Sequence, residues 1–237
     1  MRFIALLCLV GLAGCVSTVP PQSPQRPAPQ AAASASATPS RDKVEQFVSV
    51  VQSVEPVAES VCRQRTKPGT NCDFHIVVDD RPGQPVNAYQ TLDRTGRPIL
   101  AFTLPMIAEV RNRDELAFVM GHEAAHHIAG HIPRQQQNAM AGAVLLGGLA
   151  TLSGANADAV RSAADLGASV GARSYSKEYE LEADALGTVI TRSAGYDPVR
   201  GAAFFTRIPD PGDRFLGTHP PNAQRIETVR RVDAQLR

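Results

Sequence analysis

Between Asn112 and His131 the chain reads NRDELAFVMGHEAAHHIAGH, and the pattern H-E-x-x-H at His122, Glu123 and His126 limits the folds open to the rest. On an α-helix each residue advances about 100°, so His122 and His126 stand about 40° apart on the cylinder with Glu123 beside them. All three side chains then face one cleft. Neutral imidazole nitrogens bind Zn2+ at roughly 2.0 to 2.1 Å, and a catalytic zinc takes three protein ligands and keeps one position open. Two histidines at this spacing supply most of such a site. A helix is expected here. Asn112 followed by Glu115 reads as a capping box, Leu116, Ala117, Met120, Ala124 and Ile128 recur on one face, and Gly130 stands where a helix-ending glycine belongs. The plainer reading of the same letters is a set of polar residues on a solvated helix face.

A third ligand is expected on another element. The metzincin arrangement needs Gly and His at the third and sixth positions after the second ligand, where this chain has Ala129 and Ile132. His131 falls on about the opposite side of a continued helix from His122. A glutamate on a later helix gives a His2Glu set instead. The stretch YSKEYELEADALG, Tyr175 to Gly187, offers Glu178, Glu180 and Glu182, followed by Asp184.

Together, H-E-x-x-H and E-x-E-A-D-x-x-G resemble the M48 family of zinc metallopeptidases, gluzincins that include membrane-bound proteases and periplasmic quality-control lipoproteins. The resemblance covers roughly residues 43 to 237 and takes in N-A-Y (Asn87, Ala88, Tyr89), D-E-L (114 to 116), G-Y-D-P (195 to 198) and T-H-P (218 to 220). It implies an α+β, zincin-type fold: a mainly helical domain with a small β-sheet, one helix carrying H-E-x-x-H and a second carrying E-x-E-A-D. It also implies one Zn2+ per chain, with Glu180 as the third ligand and N-A-Y on a strand bordering the cleft. His219 and Arg225 become candidate donors to developing negative charge, with Tyr175 and Tyr179 behind them. Asp184 lies one turn from Glu180 on the same helix face, where it can accept a hydrogen bond from the far nitrogen of a ligating histidine. Glu178 and Glu182 point off that face and read as solvated charges.

The first 14 residues, MRFIALLCLVGLAG, join Arg2 to a short apolar run and small residues, which reads as a secretory signal peptide rather than a spanning helix. Leu12-Ala13-Gly14-Cys15 resembles a bacterial lipobox, implying lipidation of Cys15 and, with Val16 following, sorting to the outer membrane. Residues 15–42 form a linker whose six Pro and six Ala cannot build a core. Residues 43–237 are then one metallopeptidase-like domain, long enough for a proper core. A net charge of +1 with no basic run gives no reason to expect nucleic acid. Cys62 and Cys72 remain as an even pair; in an oxidising periplasm they are expected to form a disulfide, with two reduced thiols or extra metal ligands as the rival.

Helical spacing runs from Arg41 to about Gln64, with Pro56 a kink or restart. Phe74 to Val78, Val86 to Leu92 and Ile99 to Leu104 read as short strands, and Ala139 to Gly171 as a helical hairpin of small residues, static or acting as a lid. The function expected is a zinc-dependent endopeptidase on an outer-membrane lipid anchor, facing the periplasm, acting on proteins or peptides in envelope quality control. In it, Glu123 moves the proton between water and the leaving amine. The alternatives are a zinc-stabilised chaperone-like or binding lipoprotein with little turnover, and a structural lipoprotein without metal.

Overall fold

The computed structural model describes residues 38–210, 212 and 219–237. The signal segment, Cys15, most of the linker and Thr218 lie outside the described residues.

The expected mix is present: a mainly helical domain with one small sheet. Helix α1 (Arg41–Arg65) starts inside the range assigned to the linker, where the Ser40 hydroxyl accepts from the Lys43 N–H and caps it. It runs unbroken through Pro56, so the expected restart does not occur. Its buried stripe, Phe47, Val50, Val54, Ala58 and Cys62, recurs at helical spacing and joins the core.

Strands β1 (His75–Asp79), β2 (Ala88–Leu92) and β3 (Pro98–Thr103) form a sheet ordered β1-β3-β2, with β1 parallel and β2 antiparallel to β3. β2 is therefore an edge strand. The Thr103 N–H donates to the Asn87 carbonyl, so Asn87 and Tyr89 direct their backbone groups towards β3 while Ala88 and Gln90 direct theirs outward. Thr103 then caps the short α2 (Leu104–Glu109) by accepting from the Met106 N–H.

Helix α3 (Arg113–Ile128) is buried along most of its length, with α1, β2, α6 (Ser176–Ser193) and α7 (Pro198–Ala202) packed around it. Asn112 caps it as expected, accepting from the Glu115 N–H. The returning half of the capping box is displaced by one residue, because Glu115 Oε2 accepts from the Arg111 N–H at 2.7 Å.

The contact between α3 and α6 is unusually close because two glycines meet. A Cβ on Gly187 would lie 2.9 Å from the His122 nitrogen, and one on Gly121 would lie 3.0 Å from the Gly187 carbonyl oxygen. Gly130, at φ 67, ends α3, and a new helix α4 (His131–Leu152) departs from it. α4 pairs with α5 (Ala157–Arg173) in the expected hairpin, where Gly142 and Gly167 bring the two backbones into contact. Met140, Val144, Leu145, Leu149 and Leu152 on this hairpin remain exposed, and no helix among the described residues is long and apolar enough to cross a membrane.

After α6 the chain turns at Gly195, and Asp197 caps α7. A short 3-10 turn (Ala203–Thr206) buries Phe204 and Phe205, and α8 (Asn222–Gln235) closes the fold against α6. Two ion-dipole and ion-ion contacts fix this return path to the start of α3. Asp114 Oδ1 accepts from the Asp197 N–H at 3.0 Å, and Glu115 takes the Arg207 guanidinium with both oxygens at 2.7 Å. Cys62 and Cys72 form a disulfide with Cα atoms 5.7 Å apart. The loop it closes touches α3, where Asn71 O lies 2.7 Å from His127 Nε2.

Two stability effects follow. Closing a loop of about ten residues lowers the entropy of the unfolded chain enough to contribute about 3 kcal/mol, so C62A/C72A should shift the denaturant midpoint down by an equivalent amount in equilibrium unfolding. In G187A the added methyl meets the α3 backbone rather than a flexible side chain; the helices must part, at about 1–3 kcal/mol, read as a lower melting temperature.

Candidate metal centre

The glycine contact decides which side chains share the space between α3 and α6. His122 and His126 project from α3 as one-turn neighbours, and Glu180 faces them from the first half of α6. His122 Nε2 and His126 Nε2 are 3.0 Å apart, Glu180 Oε2 is 3.5 Å from the first, and Glu180 Oε1 is 3.4 Å from the second. Bonds of about 2.0 to 2.1 Å to a tetrahedral ion require donor atoms roughly 3.3 to 3.4 Å apart, so this triangle has the size that a zinc ion needs. Among the described residues this is the group of His, Cys, Asp and Glu side chains whose donor atoms converge for a metal.

The electrostatics point the same way. Burial opposes charge on His122, but its hydrogen bonds to Asp184 and Glu180 outweigh this and push its pKa up to about 10. Burial also opposes ionisation of Glu180, yet the hydrogen bond to His122 and the charges of His122 and Arg225 hold its carboxyl well below the usual range. The pocket is arranged around positive charge: without it, ring lone pairs and a carboxylate would confront one another in a dry space. The chemistry of the donors therefore fits a divalent cation. Burial pushes His126 the other way, down to about 3; since a ligating imidazole is neutral, a cation entering the triangle would take the place of the extra proton on His122.

Asp184, wholly buried, accepts from His122 Nδ1 at 3.0 Å, the one-turn relation to Glu180 anticipated from spacing. Arg225 reaches it from α8, with Nε 2.7 Å from Asp184 Oδ2 and Nη2 2.7 Å from Oδ1. The same Nη2 is 3.4 Å from Glu180 Oε2, and the guanidinium carbon sits 3.8 Å above the Phe205 ring. Arg225 thus binds the carboxylates behind the donor triangle, a placement that motif spacing did not reveal.

Glu123 is buried beside the histidines, and burial pushes its carboxyl up to about 7, while the Gln90 backbone N–H donates to it. The cleft in front is lined by Asn87, Ala88, Tyr89 and Gln90 on one side and by Phe204, Phe205 and His219 on the other. His219 is half exposed, its Nε2 3.9 Å from Glu180 Oε2. Tyr179 lines the cleft and Tyr175 stacks outside it at 6.4 Å.

Glu178 is exposed, as expected for a solvated charge. Glu182 is exposed as well, and in addition its Oε2 takes Arg134 Nη1 at 2.7 Å and lies 3.2 Å from His131 Nε2. His131 departs from expectation. Its Nδ1 is 2.8 Å from His126 Nδ1, and its ring is buried against Tyr179. The helical wheel misplaced it because α3 ends before Gly130, so His131 belongs to a new helix with a different axis. The signal was available: a glycine that ends a helix also ends the periodicity used to exclude His131.

The profile of Peptidase family M48 matches residues 48–233. The beta-barrel assembly-enhancing protease of Escherichia coli O157:H7 is 29% identical over 148 residues, covering 53% of this chain and 28% of that protein. A Vibrio cholerae protein with the same beta-barrel assembly-enhancing protease designation is 31% identical over 126 residues, covering 49% of this chain and 25% of the relative. The chain thus spans under a third of the length of the curated relatives it matches. The profile match extends over most of the chain and includes every residue described around the cleft, and this protein belongs to the metallopeptidase family M48.

Proposed function

We propose that this protein is a zinc-dependent endopeptidase in which His122, His126 and Glu180 hold the metal and Glu123 is the general base. The observation that carries the reading is the triangle of donor atoms, 3.0, 3.4 and 3.5 Å on its edges, with a buried carboxyl beside it and an open cleft in front. A zinc ion held there supplies Lewis acidity that acidifies water and polarises a scissile carbonyl.

The chain's own residues do the rest. Glu123 takes a proton from water and returns it to the departing amine, a task suited to a carboxyl whose affinity for protons burial has raised to about neutrality. Asp184, clamped by Arg225, keeps the proton of His122 on Nδ1 so that Nε2 faces the metal. An extended substrate backbone can pair with the outward groups of Ala88 and the outward carbonyl of Gln90 on the β2 edge, next to Asn87 and Tyr89. His219, at the mouth of the cleft, is suited either to donate to developing negative charge or to occupy the open position of the metal at rest.

The relatives are named for enhancing assembly of beta-barrels, which supports a role in envelope protein quality control, with proteins or peptides as substrates. Lipidation of Cys15 on the outer membrane, facing the periplasm, completes the proposal: residues 1–14 are the signal peptide, 15–42 the linker and 43–237 the working domain.

Four variants test these assignments. E123Q should keep about one zinc per chain, measured by elemental analysis, while peptide hydrolysis falls by roughly 10² to 10⁴-fold; retained hydrolysis removes Glu123 as the base. E180A should lose zinc and hydrolysis together, whereas zinc loss in E178A instead would reassign the third ligand. C15S should move the protein from the membrane fraction to the soluble fraction with hydrolysis intact, and unchanged fractionation would end the anchoring proposal.

A further inference from the structure

We infer that His131 is a positioning residue for the metal group: backed by Glu182 and Arg134, it holds His126 in the tautomer and orientation that present Nε2 to His122 and Glu180. The inference rests on the zinc site proposed above and extends it to His131 and Arg134, which lie outside the family motifs considered so far, and to Glu182, the second glutamate of E-x-E-A-D.

The hydrogens can be assigned from the partners. Glu182, paired with the Arg134 guanidinium at 2.7 Å, is a carboxylate and can only accept, so His131 Nε2, 3.2 Å from the same oxygen, carries a hydrogen. A neutral His131 then has its lone pair on Nδ1. That atom lies 2.8 Å from His126 Nδ1, and a hydrogen bond between two ring nitrogens needs one donor and one acceptor, so His126 Nδ1 donates. The lone pair of His126 is thereby fixed on Nε2, the nitrogen 3.4 Å from Glu180 Oε1. With the opposite tautomer, His126 would turn an N–H towards the cation.

The ring that gives this instruction is itself immobilised. His131 is 5% exposed and stacks on Tyr179 with centroids 4.7 Å apart and an interplanar angle of 14°. Asn138 donates to the Tyr179 hydroxyl at 2.8 Å, and the Arg134 guanidinium lies 4.3 Å from the Tyr179 ring centroid. Arg134, Asn138 and His131 all come from α4, and Tyr179 and Glu182 from α6. The relay therefore joins the start of the hairpin to both helices that supply donor atoms. The two ligand histidines are supported differently: His122 by a carboxylate with an arginine behind it, His126 by an imidazole with a carboxylate and an arginine behind that.

The test uses the full chain and Zn2+ alone, with affinity read by competition against a chromophoric chelator and geometry read from the visible bands of the Co2+-loaded protein. H131F keeps a ring stacked on Tyr179 but removes the acceptor; zinc binding should weaken 10- to 100-fold and the Co2+ bands should shift. H131N, whose Oδ1 can accept where Nδ1 did, should recover most of the affinity and the wild-type bands. A buried histidine that merely packs would change the melting temperature and leave both readouts alone. Zinc affinity within twofold of wild type and unaltered Co2+ bands in H131F overturn the inference. If H131F does not fold, E182A, altered at a half-exposed side chain, serves in its place, and unchanged affinity and bands there overturn it equally. A wild-type chain that binds no Zn2+ defeats the metal site itself; a wild type that binds Zn2+ no better than H131F defeats only the role given to His131.

Discussion

The close approach of α3 and α6 is the constraint on which the site depends. Gly121 and Gly187 let the two backbones meet where any side chain would hold them apart, and that contact brings His122 within reach of both Glu180 and Asp184. The result is a set of ionisable groups in a place water hardly reaches. Burying charge is expensive unless each group finds a partner, and here each does: Asp184 has Arg225 and His122, and Glu180 has both histidines and Arg225. The free edges of the donor triangle are what a cation would complete.

The remainder of the domain holds this contact at a fixed distance. α1 and the sheet cover one side of α3, and the segment after α6 folds back to cover the other. That return path is tied to the first turn of α3 by Asp114 and Glu115, so the D-E-L motif acts as an anchor for the wall that carries Phe204 and Phe205. Phe205 in turn meets Phe118 edge-on with centroids 5.6 Å apart and underlies the Arg225 guanidinium. A single helix start therefore governs the cleft wall and, through it, the arginine behind the proposed metal ligands. On the opposite side the same economy holds, since Gln90 of the edge strand both borders the cleft and donates to Glu123.

Much of this was legible from one sequence. Asn112, Gly130 and the apolar repeat between them located α3; short β-branched and aromatic runs separated by Pro-Gly or Thr-Gly turns located three strands within one or two residues; Asp184 was placed one turn from Glu180 by spacing alone. These are statements about neighbours along the chain, and helix or strand geometry converts such neighbours directly into shared faces. The same logic failed where an element ended. His131 was assigned to the far side of α3, although Gly130 in a left-handed conformation starts a new helix and returns that imidazole to His126. Glu182 is exposed as read, but its partners, His131 and Arg134, lie on α4, outside any local pattern, so its pairing was not legible.

What the sequence determined by itself, then, was the chemistry on offer: two imidazoles and a carboxyl on one helix face, a second acidic helix to meet them, and a pair of cysteines with no other use in the domain. Tertiary structure alone decided that β2 is the edge of the sheet, that Arg225 clamps Asp184, and that His131 stands behind His126. The physical reason is the range of the information. Backbone periodicity and capping are set within a turn or two of chain, whereas the partners of a buried charge are chosen among every element that the folded core brings against it.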